Sequence, residues 1–309
     1  MTPRPKLCLA PNLIMPGVAK CGTTTLYDIL VRHPAIAGGS DKELRYLMDE
    51  GDDLLRAENI RSGGLEGWMQ RFPDAGRGDH RYWLDASPQY QFQKTAFDTI
   101  SALEIKPRLV FIVRRPSRRL FSMYQYARYQ MGRLPHIKSF AQFIDEIGSP
   151  VSPRIADQHM LVNAMADSRY DEMLERWSAI VPDDYVWVTS LEALIADRAD
   201  VLTDLGEWLG LDPHPMIEPG HEPSNPTIRV RNHALLNIGG RLAALLPKIG
   251  VICKAKRIAR NLLVEAVPPD EIFENAGIMA ELDREFAPSV ARFNQMAGRL
   301  QRNFKPLPQ

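Results

Sequence analysis

The chain has 309 residues, 45% of them hydrophobic and 25% charged, which is enough to bury a sizeable core. Its 38 Lys and Arg balance 38 Asp and Glu, so no global field gathers nucleic acid or a long polyanion, and no nucleic-acid partner is expected. No apolar run reaches the roughly 18 residues of a membrane span, and the start MTPRPKLCLAPNLIMPG breaks its apolar stretch too early for a signal peptide. Cys8, Cys21 and Cys253 form neither a C-x-x-C pair nor a disulfide framework, so a reducing, cytoplasmic setting is expected and metal binding through them is not.

In chain order, NLIMPG reads as a strand running into a glycine loop, and TTLYDILVRHP as a helix that stops near His33 and Pro34. Residues 41–80 are polar and read as loops with one short helix. RYWLDASP from Arg81, RLVFIV from Arg108 and YVWVTS from Tyr185 are buried-strand candidates. Short apolar runs alternating with helical patterns predict an α/β fold of the P-loop type, a mostly parallel sheet flanked by helices. From Asp157 to about Ile180 the apolar spacing suits amphipathic helix with a break near Ser168. Residues 212–232 hold five prolines and read as a loop. Beyond it, 234–263 is apolar with Lys254, Lys256, Arg257 and Arg260 close together, either a helix pair with a solvated basic face or an element that meets a membrane surface or an acceptor. One domain over 1–309 is expected, with its core at about 10–211 and a loop and helical C-terminal region at about 212–309.

The stretch PGVAKCGTTTLYDILVRHP, residues 16–34, carries the first chemical signal. Gly17 and Gly22 have the G-x-x-x-x-G spacing of a phosphate loop, in which main-chain N–H groups and a helix N-terminus face an anion. Thr23 stands where G-x-x-x-x-G-K-[ST] has lysine, and the lysine sits inside the loop as Lys20. That displacement argues against an ordinary ATPase or kinase. The spacing alone also fits a chance loop.

With its lysine displaced and H-P following, P-G-V-A-K-C-G-T-T-T-L resembles the 5′-phosphosulfate loop of sulfotransferases, which use 3′-phosphoadenosine 5′-phosphosulfate (PAPS) and release the 3′,5′-bisphosphate (PAP). The resemblance assigns Gly17, Lys20, Cys21, Gly22, Thr23, Thr24 and Thr25 to the cofactor. It extends to R-x-P-x-x-R-x-x-S-x-Y after the RLVFIV strand, where Arg114 and Ser122 match the family's 3′-phosphate ligands, an arginine fork and a hydroxyl suited to phosphate oxygens. Arg115, Arg118 and Arg119 fit a solvated helix face at least as well as ligand contact.

SDKELRYLMD resembles the K-E-x-x-F-F segment of glycan sulfotransferases of the heparan-sulfate type, although Tyr46 and Leu47 stand where that family favours aromatics. The likeness makes Glu43 the catalytic base and gives Lys42 a part in neutralising charge; a surface Lys-Glu pair is the plainer alternative. His80, His136 and His159 match no segment of the histidine-based branch. LDASPQY resembles an acceptor-side segment, which nominates Asp85, Ser87 and Tyr90, though a strand end with a proline turn explains them nearly as well. SRYDEMLERW resembles a family helix from which Tyr170 approaches the nucleotide, and Arg229 and Arg231 are the counterparts of basic residues in a late loop that closes over the adenosine and 3′-phosphate, Arg229 being assigned to the cofactor. The implied enzyme is a metal-free sulfotransferase acting on a small-molecule, glycan or glycolipid hydroxyl. A nucleotide kinase with an atypical loop and a non-catalytic nucleotide-binding module are the competing readings.

Overall fold

In a computed structural model, the structure describes residues 10–73, 80–131, 134, 136–148, 150–156, 158–218 and 274–308, with the backbone of 228–230 and 264–266. Five parallel strands form one sheet in the order β2-β3-β1-β4-β5: β1 (Leu13–Gly17), β2 (Ile36–Gly38), β3 (Tyr82–Asp85), β4 (Arg108–Val113) and β5 (Val186–Ser190). The apolar runs are those of a parallel sheet covered on both faces. Alternation along the strands sends Ile14, Leu109, Phe111 and Val188 into one core and Leu13, Met15, Val110, Ile112 and Trp187 into the other. The second core is closed by α1 (Thr23–Leu30) and, later in the chain, α9 (Arg198–Leu209).

Between them the chain forms α2 (Ile60–Met69), α3 (Lys94–Ala102), α4 (Pro116–Gln125), α5 (Phe140–Ile147), α6 (His159–Val162), α7 (Tyr170–Ser178) and α8 (Leu191–Ala196). Next come α10 (His214–Ile217) and α11 (Ala276–Leu300), which packs on α7 and α4. The break near Ser168 is present, but the stretch before it folds as the single turn α6 and a 3₁₀ turn, not as a sustained helix. The proline-rich stretch also differs from a plain loop. It contains α10 and the short strand β6 (Ile228–Val230), antiparallel to β7 (Val264–Ala266) and beside the turn at Tyr126–Gln130. Residues 234–263 lie outside the described residues. No described helix is long and apolar enough to cross a membrane.

The chain leaves β1 for the β2-β3 side of the sheet and crosses back to β4 on the other side. This topological switch point is where parallel α/β sheets hold ligands, outside the carboxyl ends of the strands.

Candidate active site

A cleft of about 740 Å³ opens at that end of the sheet. Ala19, Lys20, Gly22, Thr23, Thr24 and Thr25 form its floor, Arg114 and Ser122 line it from β4 and α4, and Glu43, Arg45 and Gln89 line it from the β2-β3 side.

The loop is shaped by two left-handed residues. Gly22 caps α1 at φ 93, a left-handed conformation that favours glycine, and a Cβ there would also press on Leu191 Cδ1. Lys20 holds φ 71, a strained conformation for a side chain-bearing residue. The first turn of α1 carries no acid and no side-chain cap, which leaves its N–H groups and positive end facing the cleft. Gly17 and Cys21 do not line the cleft. A Cβ on Gly17 would meet Gln91 Oε1 at 2.3 Å, and the Cys21 thiol is fully buried, so any part Cys21 plays is through its main chain.

Lys20 Nζ lies 3.9 Å from the ring centroid of Tyr126. Burial, reinforced by Arg114 and Lys42 and opposed by Glu43, lowers its ammonium to about 8. Lys42 bridges the loop to the opposite wall, donating to Thr23 Oγ1 and Glu43 Oε1, each at 3.1 Å. Glu43 Oε2 accepts from Arg45 Nε and Nη2 at 3.2 and 2.7 Å and from Gln89 Nε2 at 3.0 Å. Burial pushes the Glu43 carboxyl upward, but Lys42, Arg45 and Gln89 outweigh it and hold the group at about 2. With both oxygens engaged, Glu43 is a weak proton acceptor in this arrangement.

Asp85, Ser87 and Tyr90 do not reach the cleft. All three are fully buried beneath the Glu43 segment, where they act as its support. Asp85 Oδ1 accepts from Ser87 Oγ at 2.6 Å, and Oδ2 accepts from Tyr90 at 2.8 Å and Trp68 Nε1 at 2.9 Å. The two hydroxyls, pinned as donors to Asp85, then accept main-chain N–H bonds: Ser87 from Arg45, and Tyr90 from Tyr46 and Leu47. This anchoring fixes the turn at Arg45 (φ 52), whose side chain folds back onto Glu43. The proline turn after β3 aims these side chains inward because Asp85, in register with Ile14, ends a central strand.

Arg119 corrects another expectation. It is neither solvated nor at the ligand surface: fully buried, it donates to Ala19 O at 3.2 Å, Ala164 O at 2.9 Å and Ser168 Oγ at 2.7 Å. It therefore ties the phosphate loop to the chain before α7. Tyr170, also buried, donates to the Arg114 carbonyl at 2.8 Å with Cys21 Sγ 3.8 Å from its hydroxyl, so it orients Arg114 from behind. Arg229 sits in β6, and its side chain lies outside the described residues.

His80, His136 and His159 are absent from the described lining; His80 Nδ1 faces Pro34 O at 2.9 Å, and His159 faces Asp52 at 3.6 Å. No cluster of metal-ligating side chains occurs among the described residues. Sequence reasoning passed over Arg45, Gln89, Tyr126 and Arg198, which also line the cleft. For Arg45 and Gln89 the available signal was position, two residues after Glu43 and inside the S-P-Q-Y turn.

The family model of the sulfotransferase domain matches residues 10–224. Curated relatives include the human bifunctional heparan sulfate N-deacetylase/N-sulfotransferase 3, 26% identical over 207 residues that cover 66% of this chain and 23% of that protein. The human heparan sulfate glucosamine 3-O-sulfotransferase 5 is 25% identical over 203 residues, covering 66% of this chain and 54% of that one. The chain thus spans about a quarter of the first relative and about half of the second. Among solved structures, a sulfotransferase from Alicyclobacillus acidocaldarius superposes with a TM-score of 0.62 at 20% identity over 93% of this chain and 95% of that one, a likeness of fold. The chain belongs to the sulfotransferase family.

Proposed function

We propose that the chain transfers a sulfuryl group from PAPS to a hydroxyl of a carbohydrate-containing or small-metabolite acceptor. One observation carries this reading: a phosphate loop with an internal lysine, a second anion place at Arg114 and Ser122, and a carboxylate on the facing wall all line one cleft. In the proposed complex the α1 N-terminus and Lys20 hold the 5′-phosphosulfate, and Arg114 with Ser122 holds the 3′-phosphate. Its resemblance to a late basic residue of the family assigns Arg229 to the same phosphate.

The acceptor oxygen attacks sulfur as the sulfur–oxygen bond to the 5′-phosphate breaks. Glu43 takes the hydroxyl proton, and Lys20 stabilises charge growing on the departing bisphosphate. The low proton affinity of Glu43 suggests how the two halves are timed. Lys42 already touches both Thr23 and Glu43. A phosphosulfate on the loop draws Lys42 toward its oxygens, which releases Glu43 Oε1 and raises its basicity where the acceptor arrives. Lysine and arginine provide the positive charge that a metal ion supplies in triphosphate sites, and we assign the reaction to the cytoplasm.

The test is turnover of ³⁵S-labelled PAPS against a panel of glycosides and alcohols. Lys20→Ala and Glu43→Ala are each expected to lower it about 100-fold or more. A variant that keeps turnover within about threefold of the parent removes that residue from the mechanism.

A further inference from the structure

Helix α4 and the turn that continues it meet the phosphate loop along one face. Arg119, Ser122 and Tyr126 follow at spacings of three and four, so their side chains leave the helix in one direction. The buried Arg119 donates to Ala19 O at 3.2 Å, and Ser122 and Tyr126 line the cleft. At Tyr126 the helix widens, with the Met131 N–H donating to the Tyr126 carbonyl at 3.0 Å, a local change of winding that is frequent at functional sites. Tyr126 faces Lys20, the residue after Ala19. Lys20 Nζ stands 3.9 Å from the ring centroid, and no hydrogen bond or close ion pair joins Nζ to another described residue. The helix thus holds the loop at two successive residues, Ala19 by its carbonyl and Lys20 by its side chain, just where the chain turns left-handed at Lys20.

An aromatic face attracts an ammonium through its quadrupole and carries no charge to cancel it. Lys42 shows the contrast, because its donors are taken by Thr23 and Glu43 and its charge is shared with a carboxylate. Resting on the sulfotransferase reading above, we propose that Tyr126 is a positioning residue, whose ring backs the Lys20 ammonium so that its charge and its N–H donors stay turned toward the phosphosulfate. The ring also works against the surroundings of Lys20. Burial, reinforced by Arg114 and Lys42 and opposed by Glu43, lowers that ammonium to about 8, whereas the ring face favours the charged form. Tyr126 acts through Lys20 and takes no part in bond making. Only its ring is required, so phenylalanine serves in its place and an aliphatic side chain does not.

The experiment is nuclear magnetic resonance of the intact protein carrying lysine labelled with ¹³C at the ε position, with the Lys20 signal identified by its loss in Lys20→Met. In the wild type the Lys20 ε-methylene protons are expected upfield, shielded by the ring, and to remain so with adenosine 3′,5′-bisphosphate bound. In Tyr126→Phe the shielding stays and Lys20 titrates within about 0.2 pH units of the wild type. In Tyr126→Leu the shielding is lost, the titration falls by about half to one pH unit, and the bisphosphate binds about three- to tenfold more weakly at pH 8. An unshielded methylene in the wild type, or one whose shielding disappears when the bisphosphate binds, overturns the proposal without recourse to a variant. So does a Tyr126→Leu titration that is unchanged or moves upward, which makes Tyr126 a plain part of the cleft wall. Failure of the bisphosphate to bind the wild type overturns the sulfotransferase reading instead, while shielding and titration still report on the contact between Lys20 and Tyr126.

Discussion

Replacing Asp85 by asparagine keeps its shape and removes a charge that the fold buries completely. Burial, opposed by the hydrogen bonds from Ser87, Trp68 and Tyr90, lifts the Asp85 carboxyl from 3.8 to about 6. The folded chain therefore holds this proton more tightly than the unfolded chain does. The contribution to stability is fully present below about 4 and is lost as pH rises through about 6, which leaves the ionised group costing about 3 kcal/mol at pH 7. Asparagine escapes that cost but offers only one acceptor oxygen to three donors, and a donor left unpaired in the interior costs about 1–3 kcal/mol.

The two effects largely offset each other at pH 7, so Asp85→Asn is expected within about 2 kcal/mol of the wild type there. At pH 5 the wild type recovers about 1 kcal/mol that the variant does not, so the difference shifts by that amount in favour of the wild type, whichever protein is the more stable at pH 7. Glu43, at about 2, does not titrate between these pH values, and the depressed His33 is common to both proteins. Urea unfolding of both proteins at pH 7 and pH 5 reads the difference directly. A difference that stays constant, or that shifts in favour of the variant toward pH 5, refutes the assignment of a buried ionised Asp85. Turnover in the same variant is expected to fall at least about tenfold, because the amides of Arg45, Tyr46 and Leu47 lose their oriented hydroxyl acceptors.

Other perturbations follow from the same geometry. At pH 8 Lys20 is about half protonated, and an anion on the loop restores its proton; binding of the bisphosphate should therefore take up a fraction of a proton, seen as buffer-dependent heat in calorimetry and absent in Lys20→Met. Arg119→Met removes the buried donor shared by the Ala19 and Ala164 carbonyls and Ser168 Oγ, and the cation beside buried Asp167, and should destabilise by about 3–5 kcal/mol in chemical denaturation; a loss under about 1 kcal/mol contradicts the tie described for the loop. Lys42→Ala removes one of the groups that hold Glu43 ionised, so its carboxyl should rise from about 2 and turnover should fall toward acid pH at a higher pH than in the wild type. An unchanged acid limb excludes Glu43 as the group that sets it.

The parallel sheet was legible because buried strands read as apolar runs bounded by turn residues, as in RLVFIV and YVWVTS. Strand β2 escaped notice, since Ile36–Gly38 is too short to carry a pattern. That the phosphate-loop lysine and threonines, Glu43, Arg114 and Ser122 line one cleft could be anticipated because each was nominated by a short local motif that resembles the family's. Arg119 was not, because its burial depends on acceptors at Ala164 and Ser168, more than forty residues along the chain. Asp85, Ser87 and Tyr90 were found as a group but given the wrong surroundings. A segment's sequence identifies its polar side chains, whereas only the packing of Trp68 and the Glu43 turn over them reveals that they face inward.

A thermal-shift titration decides whether the cleft is built for a 3′,5′-bisphosphate nucleotide. Adenosine 3′,5′-bisphosphate, AMP, and ATP with magnesium are compared on the wild type and on Arg114→Ala. At about 100 times its dissociation constant a ligand stabilises by roughly 2.7 kcal/mol, well within reach of a melt. The bisphosphate alone should raise the wild-type melting temperature, and the Arg114 change should abolish that rise. Greater stabilisation by ATP with magnesium, or a bisphosphate effect indifferent to Arg114, contradicts the sulfotransferase site proposed for this cleft.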